Sequence, residues 1–294
     1  THNVFHDLLL ESFDSGAIYK SDRDWTARGL VVSSNFFYNL GSTSPSDRCN
    51  PHTACCRHVR HALRVLPPLE RLYANSHSWC GSDQAIYMDA TEHGFTATGN
   101  LIIQPPELAS SSCNYGVFDN GGRNNIISGN LCVGYANCVR VGDYNLIAPP
   151  AFSIGMLMNL VPYHYRSPPY SRYPGLPELD PFISLPLVGN CSSRESCGAT
   201  PWHVSVTHNV AVLGEIGLGF YGANPPATLP RFNITDNLNV TLATADFQNP
   251  HPGVDNCWDM RSTSSVLSSG FQRIRPDLMG PPAFQSSYAN KCGG

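Results

Sequence analysis

Charged residues are scarce in this sequence, and lysine is almost missing. Charged side chains make up 14% of the 294 residues, Lys20 and Lys291 are the only lysines, and the formal charge at pH 7 is −4. Nucleic acid is therefore not expected as a partner, because binding it requires a basic face that displaces counterions. No apolar run approaches the ~18 residues that cross a bilayer as a helix, so we expect no membrane span. Regular amphipathic helices between the apolar segments are also lacking, which disfavours a doubly wound α/β sheet.

Cysteine, in contrast, is abundant. The chain has 11 cysteines and three N-x-[ST] sequons, at Asn190, Asn233 and Asn239. Secreted chains use cysteines as cross-links, whereas cytosolic chains keep them for metal or redox sites. Sequons mark glycosylation on surface segments of secreted proteins. We therefore expect a secreted, extracellular glycoprotein rich in disulfides, whose odd cysteine count leaves at least one thiol free or paired between chains.

A nine-residue template recurs along the chain and determines the expected fold. Position four is apolar, position five is Ser or Thr, position seven is Asn, and an apolar residue follows the Asn in every copy. The template predicts a strand, then a corner at the Asn, because its short amide tolerates left-handed backbone, and then a second strand. Asn side chains of successive copies are expected to hydrogen-bond one another as a ladder. The copies are residues 29–37, 94–102, 124–132, 203–211 and 231–239.

A second motif marks another strand in each repeat. It occurs at residues 16–19, 84–87, 115–118 and 138–141, and residues 216–221 continue the row. Two different motifs in a fixed order, returning every 28 to 32 residues where no insertion intervenes, predict an all-β fold of the parallel β-helix type, a solenoid of stacked coils. A β-sandwich of short strands is the alternative, but it would require hairpin turns of about two to five residues.

Two segments interrupt the repeat, and a tail follows it. We expect residues 1–294 to form a single β-helix domain with insertions at 41–80 and 148–202 and a closing tail at 250–294. Long loops on a solenoid commonly form its binding surface. Tyr-rich loops suit stacking on sugar rings, although tyrosines at a protein interface look the same. The expected disulfide cysteines are Cys49, Cys55, Cys56, Cys80, Cys191, Cys197, Cys257 and Cys292, with Cys191–Cys197 the favoured pair.

The run Cys55-Cys56-Arg57-His58-x-x-His61 raises the alternative of a zinc site. Its spacing fits no standard structural zinc pattern, and vicinal cysteines in an oxidised chain more often form separate disulfides. We therefore expect no metal and no other cofactor.

The first residues match the middle of the template. Residues 1–5 correspond to positions five to nine, so the sequence enters the repeat in the middle of a coil. A solenoid end normally carries an atypical cap over its core. The expectation is that a longer precursor or a partner chain supplies earlier coils, and that further copies of the chain can assemble on an open N-terminal coil.

A further set of runs lies at residues 14–19, 23–29, 85–89, 94–100 and 121–130, with a closing segment at 259–280. These runs resemble the family of right-handed parallel β-helix repeat proteins, many of which are carbohydrate-active. The resemblance implies that the chain is the C-terminal part of such a right-handed solenoid. The family includes glycosidases, lyases and members without assigned chemistry, so it implies contact with carbohydrate but no particular reaction. The Asp-Asp pair and Gly-His-Gly motif of the pectin hydrolases are absent from the sequence.

Carboxylates follow the second motif in successive repeats. If the strands stack, these side chains gather at one end of one sheet, in coils ~4.8 Å apart. Separations of one or two coils suit both geometries of glycoside hydrolysis, and clustered like charges place an acid beside a base. The candidate catalytic residues are Asp22, Asp89 and Asp119, and the candidate substrate-binding residues are Tyr19, Tyr87 and Arg123.

Two alternatives to this site stay open. Asp and Asn are common in β-helix turns because they bond local backbone, so the carboxylates can be purely architectural. A lyase would need a base, for which Lys20 is the lysine candidate, and an unactivated lysine is protonated at pH 7. The sequence thus predicts an extracellular protein that binds polysaccharide, with glycoside hydrolysis ahead of lyase chemistry if it is an enzyme. The alternative is a non-catalytic structural or adhesive glycoprotein that assembles through its open coil and loops.

Overall fold

In the computed structural model, the described residues are mostly strands in parallel sheets. The predicted insertions at 41–80 and 148–202, with their six candidate disulfide cysteines, lie outside the described residues. The described residues are 1–6, 8, 15–21, 29–40, 83–89, 94–104, 115–120, 125–135, 137–142, 204–219, 232–249 and 257–292.

Three parallel sheets make up the body of the described structure. Sheet I consists of Ser15–Ser21 (β2), Asp83–Asp89 (β5), Tyr115–Asn120 (β8), Asn137–Gly142 (β11) and Glu215–Gly219 (β14). Sheet II consists of Val31–Ser33 (β3), Thr96–Thr98 (β6), Asn125–Ser128 (β9), Val204–Thr207 (β12) and Phe232–Thr235 (β15). Sheet III consists of Val4–His6 (β1), Phe36–Tyr38 (β4), Leu101–Ile103 (β7), Leu131–Val133 (β10), Val210–Val212 (β13) and Leu238–Val240 (β16).

Each repeat supplies one strand to each sheet, in the order sheet I, sheet II, sheet III, and each strand pairs with its equivalent in the next repeat. The register confirms the template: Ala97 pairs with Val32 on one side and Ile127 on the other, all at position four. These three side chains are buried in the same core cluster. The predicted all-β class with parallel pairing is therefore confirmed, and this pairing is unlike the antiparallel hairpins of a β-sandwich.

A ladder of asparagines runs through the corners between sheets II and III, as the template predicted. The side-chain amide of each rung except the last donates to Oδ1 of the asparagine in the next repeat, over 2.8 to 3.1 Å. From Asn100 onward, each amide also donates to the carbonyl of the position-four residue in the preceding repeat, such as that of Ala97 beside Asn130. These buried amides have hydrogen-bond partners, which removes the penalty of burying them. The rungs are Asn3, Asn35, Asn100, Asn130, Asn209 and Asn237.

The corner itself is made differently from the prediction, which assigned the left-handed backbone to the asparagine. The residue just before each asparagine has the positive φ instead, with values between 54° and 64°. The asparagine needs an extended entry into the next strand, while its amide serves the ladder. We call these left-handed residues the corner positions. They are His2, Ser34, Gly99, Gly129, His208 and Asp236.

Sheet III is apolar on both faces. Its middle residues, such as Ile102, point into the core between the sheets, whereas the flanking residues, such as Leu101 and Ile103, belong to a second cluster on the outer side. A continuous apolar run is the pattern of a strand buried on both faces.

The residues after β16 cover this outer face; we call them the tail from here on, and they begin before the predicted boundary at residue 250. The tail contains Leu242–Ala245 (α1), an antiparallel pair of Phe247–Asn249 (β17) and Cys257–Met260 (β18), Ser265–Ser268 (α2), a 3₁₀ turn at Pro276–Leu278, and Pro282–Cys292 (α3). Phe247, Trp258 and Phe271 pack against sheet III, while Gly280 donates its N–H to the His2 carbonyl over 2.7 Å. The tail therefore runs along the stack from β16 back to β1.

Two disulfides lie within the described residues. Cys257 at the start of β18 is bonded to Cys292 at the end of α3, and both are among the candidate disulfide cysteines. The other joins Cys132 in β10 to Cys138 in β11, inside the core. This second pair was not among the expected disulfides; both residues lie within the strand motifs, at 124–132 and 138–141.

Candidate functional site

The outer face of sheet I carries a row of aromatic side chains. Tyr19, Tyr87, Phe118 and Arg140 pair in register across four neighbouring strands. The residues before them in each strand, such as Ile86, pack in the core, and successive side chains of a strand point to opposite faces. The row therefore faces away from the core.

The rings of this row contact one another in sequence. The centroids of Tyr19 and Tyr87 are 5.0 Å apart in an edge-on arrangement, and Tyr87 stacks on Phe118 at 5.1 Å. Tyr87 and Phe118 are 4% and 5% exposed, whereas Tyr19 is 47% exposed. Among the members of this row, Tyr19 is thus the most exposed ring.

The carboxylate of Asp89 is held from two sides at the end of β5. The Tyr19 hydroxyl donates to its Oδ2 over 2.7 Å, and the Asn120 amide donates to its Oδ1 over 2.8 Å. Asp89 is half-buried, at the border of the row. We call these three residues the Tyr19 cluster. Because both donors come from neighbouring strands, the parallel register itself sets the orientation of the carboxylate.

Asp119 does not join this cluster, contrary to the predicted column of carboxylates. It pairs in register with Met88 and Val141, is fully buried, and accepts a hydrogen bond over 3.0 Å from the Asn125 amide. Asp89 comes two residues after Tyr87 and therefore lies on the same face of the sheet as that ring. Asp119 comes one residue after Phe118 and therefore lies on the opposite face, because successive residues of a strand alternate between faces. Asn120 occupies the position beside Asp89, so Asp119 serves the turn between β8 and β9.

Arg140, which was not among the predicted site residues, ends the aromatic row. Its guanidinium carbon lies 4.8 Å from the centroid of the Tyr115 ring and 5.9 Å from that of Phe118, and its Nη1 donates to the Tyr115 hydroxyl. Burial raises the pKa of Tyr115, and the charge of Arg140 opposes this. The motif alignment placed Val141 beside Phe118, one residue too far. Pairing the inward Val139 with Val117 would have found Arg140.

The other predicted site residues fall into three groups. Asp22, Arg123 and the sequon residue Asn190 lie outside the described residues. Lys20 pairs with Met88, on the opposite side of sheet I from Tyr19. Asn233 and Asn239 are exposed on β15 and β16, where a glycan would have room; the Asn233 amide donates to Ser205 over 3.3 Å.

The Tyr19 cluster has the chemistry of a binding site for hydroxyl groups. Its carboxylate is a hydrogen-bond acceptor, as a hydroxyl ligand requires, and an exposed ring lies beside it. Among the described residues, no group of three or more His, Cys, Asp or Glu side chains is placed to hold a metal ion. No helix in the described part of the chain is long and apolar enough to cross a membrane.

Comparisons with known proteins give no assignment. No protein-family model matches the chain, and no curated protein or solved structure matches it either.

Proposed function

We propose that the three parallel sheets are the sides of a right-handed parallel β-helix, and that the chain is an extracellular protein that binds polysaccharide through the Tyr19 cluster. The fixed order of the sheets in every repeat supports the β-helix, as does the asparagine ladder. The two disulfides support an oxidising compartment, since cytosolic thiols are kept reduced.

The observation that carries the binding proposal is the hydrogen bond from the exposed Tyr19 to Asp89. A sugar ring has an apolar C–H face and several hydroxyl groups, so it pairs with an aromatic ring beside a hydrogen-bond acceptor. The bond to Asp89 fixes the Tyr19 ring before a ligand arrives. This preorganisation lowers the entropy cost of binding.

We propose binding rather than cleavage because Asp119 does not lie beside Asp89. Glycoside hydrolysis uses two carboxyl groups about 5–10 Å apart on either side of the bond. Asp119 is buried at the turn, so it is not the partner of Asp89. Asp22 is the remaining candidate from the sequence.

Binding is tested by calorimetric titration of neutral and acidic polysaccharides into the whole protein. We expect Tyr19→Ala to weaken binding about tenfold, the value of a lost aromatic contact of about 1.4 kcal/mol. Ile126→Ala is the matched control, because Ile126 is 46% exposed on a strand of sheet II. Equal affinities for Tyr19→Ala, Ile126→Ala and the parent protein would contradict the proposal. In a parallel assay for reducing ends, activity that Asp89→Asn abolishes would add hydrolysis to the function.

A non-catalytic scaffold is the second candidate, and the edge of sheet III favours it. Within the described residues, no strand pairs with the outer edge of β16, whose middle residue Asn239 is exposed. An exposed strand edge is a template for another chain. Sedimentation as a monomer at every concentration would count against a scaffold built from copies of this chain.

A further inference from the structure

A groove lies along the corner between sheets II and III, away from the Tyr19 cluster on sheet I. Its volume is about 530 Å³, and the tail segment 270–279 forms its second wall. The corner positions His2, Ser34, Gly99, Gly129 and His208 belong to five consecutive repeats and form the first wall. Four steps of ~4.8 Å give this wall a length of roughly 19 Å, enough for several sugar residues in an extended chain.

Glycines stand in the middle of the first wall. A Cβ atom at Gly99 would lie 3.8 Å from Ser34 Oγ, and one at Gly129 would lie 4.0 Å from the Gly99 nitrogen, so a side chain at either position would make no closer contact and would extend into the groove. The backbone is thus accessible to a ligand there, which is a common use of glycine. The hydroxyls of Thr98 and Ser128 line the groove beside the two glycines, and the imidazoles of His2 and His208 stand at its ends.

The second wall holds two arginines whose carboxylate partners do not line the groove. Arg275 donates to both carboxylate oxygens of Asp277, over 2.8 and 2.5 Å, and Arg273 lies 3.7 Å from the nearly buried Asp259. These pairs orient the guanidinium groups, and each guanidinium has five N–H donors, more than one carboxylate occupies. Ile274 and Met279 add apolar surface between the charges.

The lining of the groove suits an anionic ligand. It offers guanidinium, imidazole, amide and hydroxyl groups, and no carboxylate lines it in the part of the chain that the structure describes. Its volume lies within the about 300–1,000 Å³ typical of ligand sites. A single small anion would use only one end of it. A long ligand with acidic groups on one side and hydroxyls on the other uses its whole length.

We propose that this groove binds an extended anionic oligosaccharide, with carboxylate or sulfate groups at Arg273 and Arg275 and sugar hydroxyls along Ser34, Thr98 and Ser128. The proposal builds on the proposed polysaccharide binding and assigns a second site with its own ligand charge. It does not depend on Tyr19, which lies on a different sheet.

The first test asks whether binding depends on the charge of the oligosaccharide. The probes are a dextran sulfate oligosaccharide, uncharged dextran of the same length, and inorganic sulfate, titrated at low salt into the whole protein. We expect only the sulfated oligosaccharide to bind, and Arg275→Gln to weaken it about tenfold, as for one charge-assisted contact. Arg261→Gln is the matched control, because Arg261 is 56% exposed like Arg275 and is also held by an aspartate. Competition by inorganic sulfate at equal charge, or equal losses in both variants, overturns the proposal.

The second test is steric and leaves the charge of the groove unchanged. Gly129→Asn puts a side chain into the open middle, and Asn tolerates the left-handed φ of 64° at that position. Leu213→Asn is its control, because it gives the same residue at an exposed left-handed position outside the groove lining, also without a change of charge. We expect Gly129→Asn to abolish binding of the sulfated oligosaccharide and Leu213→Asn to retain it.

The outcomes separate the two sites. Loss of the sulfated ligand in Gly129→Asn, with retention in Tyr19→Ala, supports the groove. Loss in Tyr19→Ala alone overturns the groove and leaves the proposed function standing. Absence of any polysaccharide binding in the parent protein overturns both.

Discussion

Replacing one interior rung of the asparagine ladder should destabilise the whole stack, and Asn130→Ala is the sharpest case. The fully buried Asn130 side chain donates to Asn209 Oδ1 and to the Ala97 carbonyl, over 2.9 and 3.1 Å. Its Oδ1 accepts from the backbone and side-chain nitrogens of Asn100, over 3.1 and 2.8 Å. Alanine therefore removes four hydrogen bonds at a fully buried site.

The size of the expected loss in stability depends on the polar groups that lose a hydrogen-bond partner. Asn100 Nδ2 keeps its bond to Val32 and Asn209 Oδ1 keeps the Asn130 N–H, but the Asn100 N–H and the Ala97 carbonyl lose these partners. A buried group left unsatisfied costs about 1–3 kcal/mol, and each net hydrogen bond contributes about 1 kcal/mol. We expect a loss of about 3–5 kcal/mol in the free energy of unfolding, a large share of the total stability of a typical domain.

The measurement is urea unfolding followed by circular dichroism, extrapolated to water with the slope compared between variants. Asn3→Ala is the control, because Asn3 is the exposed end rung and water can replace its partners; we expect a loss below about 1 kcal/mol. Asn130→Asp should be at least as harmful as Asn130→Ala, since a carboxylate cannot donate to Ala97 or Asn209. Losses of the same size in Asn130→Ala and Asn3→Ala would refute the reasoning.

Two further predictions concern the tail. Burial raises the pKa of Asp259 against the pull of Arg273, so this group's contribution to stability is present below the ordinary carboxyl pKa and is lost as pH rises through the raised value. Asp259→Asn should therefore gain in melting temperature relative to the parent as pH rises from about 4 to 7, and a constant difference would contradict this. Gly280→Ala should lower the melting temperature more than Gly270→Ala: both have positive φ, but only at Gly280 would a Cβ meet Val4, at 2.5 Å. Equal shifts would count against the packing of the tail on β1.

The repeat was predictable because its signals are local and recur. Position four and the asparagine recur in every copy, so their register follows from alignment alone, and the structure pairs Val32, Ala97 and Ile127 accordingly. The left-handed corner was assigned to the wrong residue because Ser, Gly, His and Asp all occupy that position. Aligned repeats therefore show no common residue type at this position, although all of these residues share the left-handed backbone conformation.

The candidate site was less predictable, because it depends on which face of its strand each residue occupies. Asp89 and Asp119 look equivalent when residues are counted loosely from the aromatic, yet one faces outward and the other is buried. The bond from Tyr19 to Asp89 joins side chains 70 residues apart, and no periodicity encodes it. The groove needed the tail in place as its second wall, and a tail without a repeat gives no register from which to place it.

The path of the tail fixes the distance between β16 and β1. Repeats that contact only their neighbours can be added or lost without altering the rest. Here the N–H of Gly280 reaches His2 at one end, after a course that began beside β16 at the other. One more repeat between β1 and β16 would lengthen this part of sheet III by ~4.8 Å and leave the tail short by that distance. The tail therefore couples β1 to β16, so that the number of strands between them cannot vary independently of the tail.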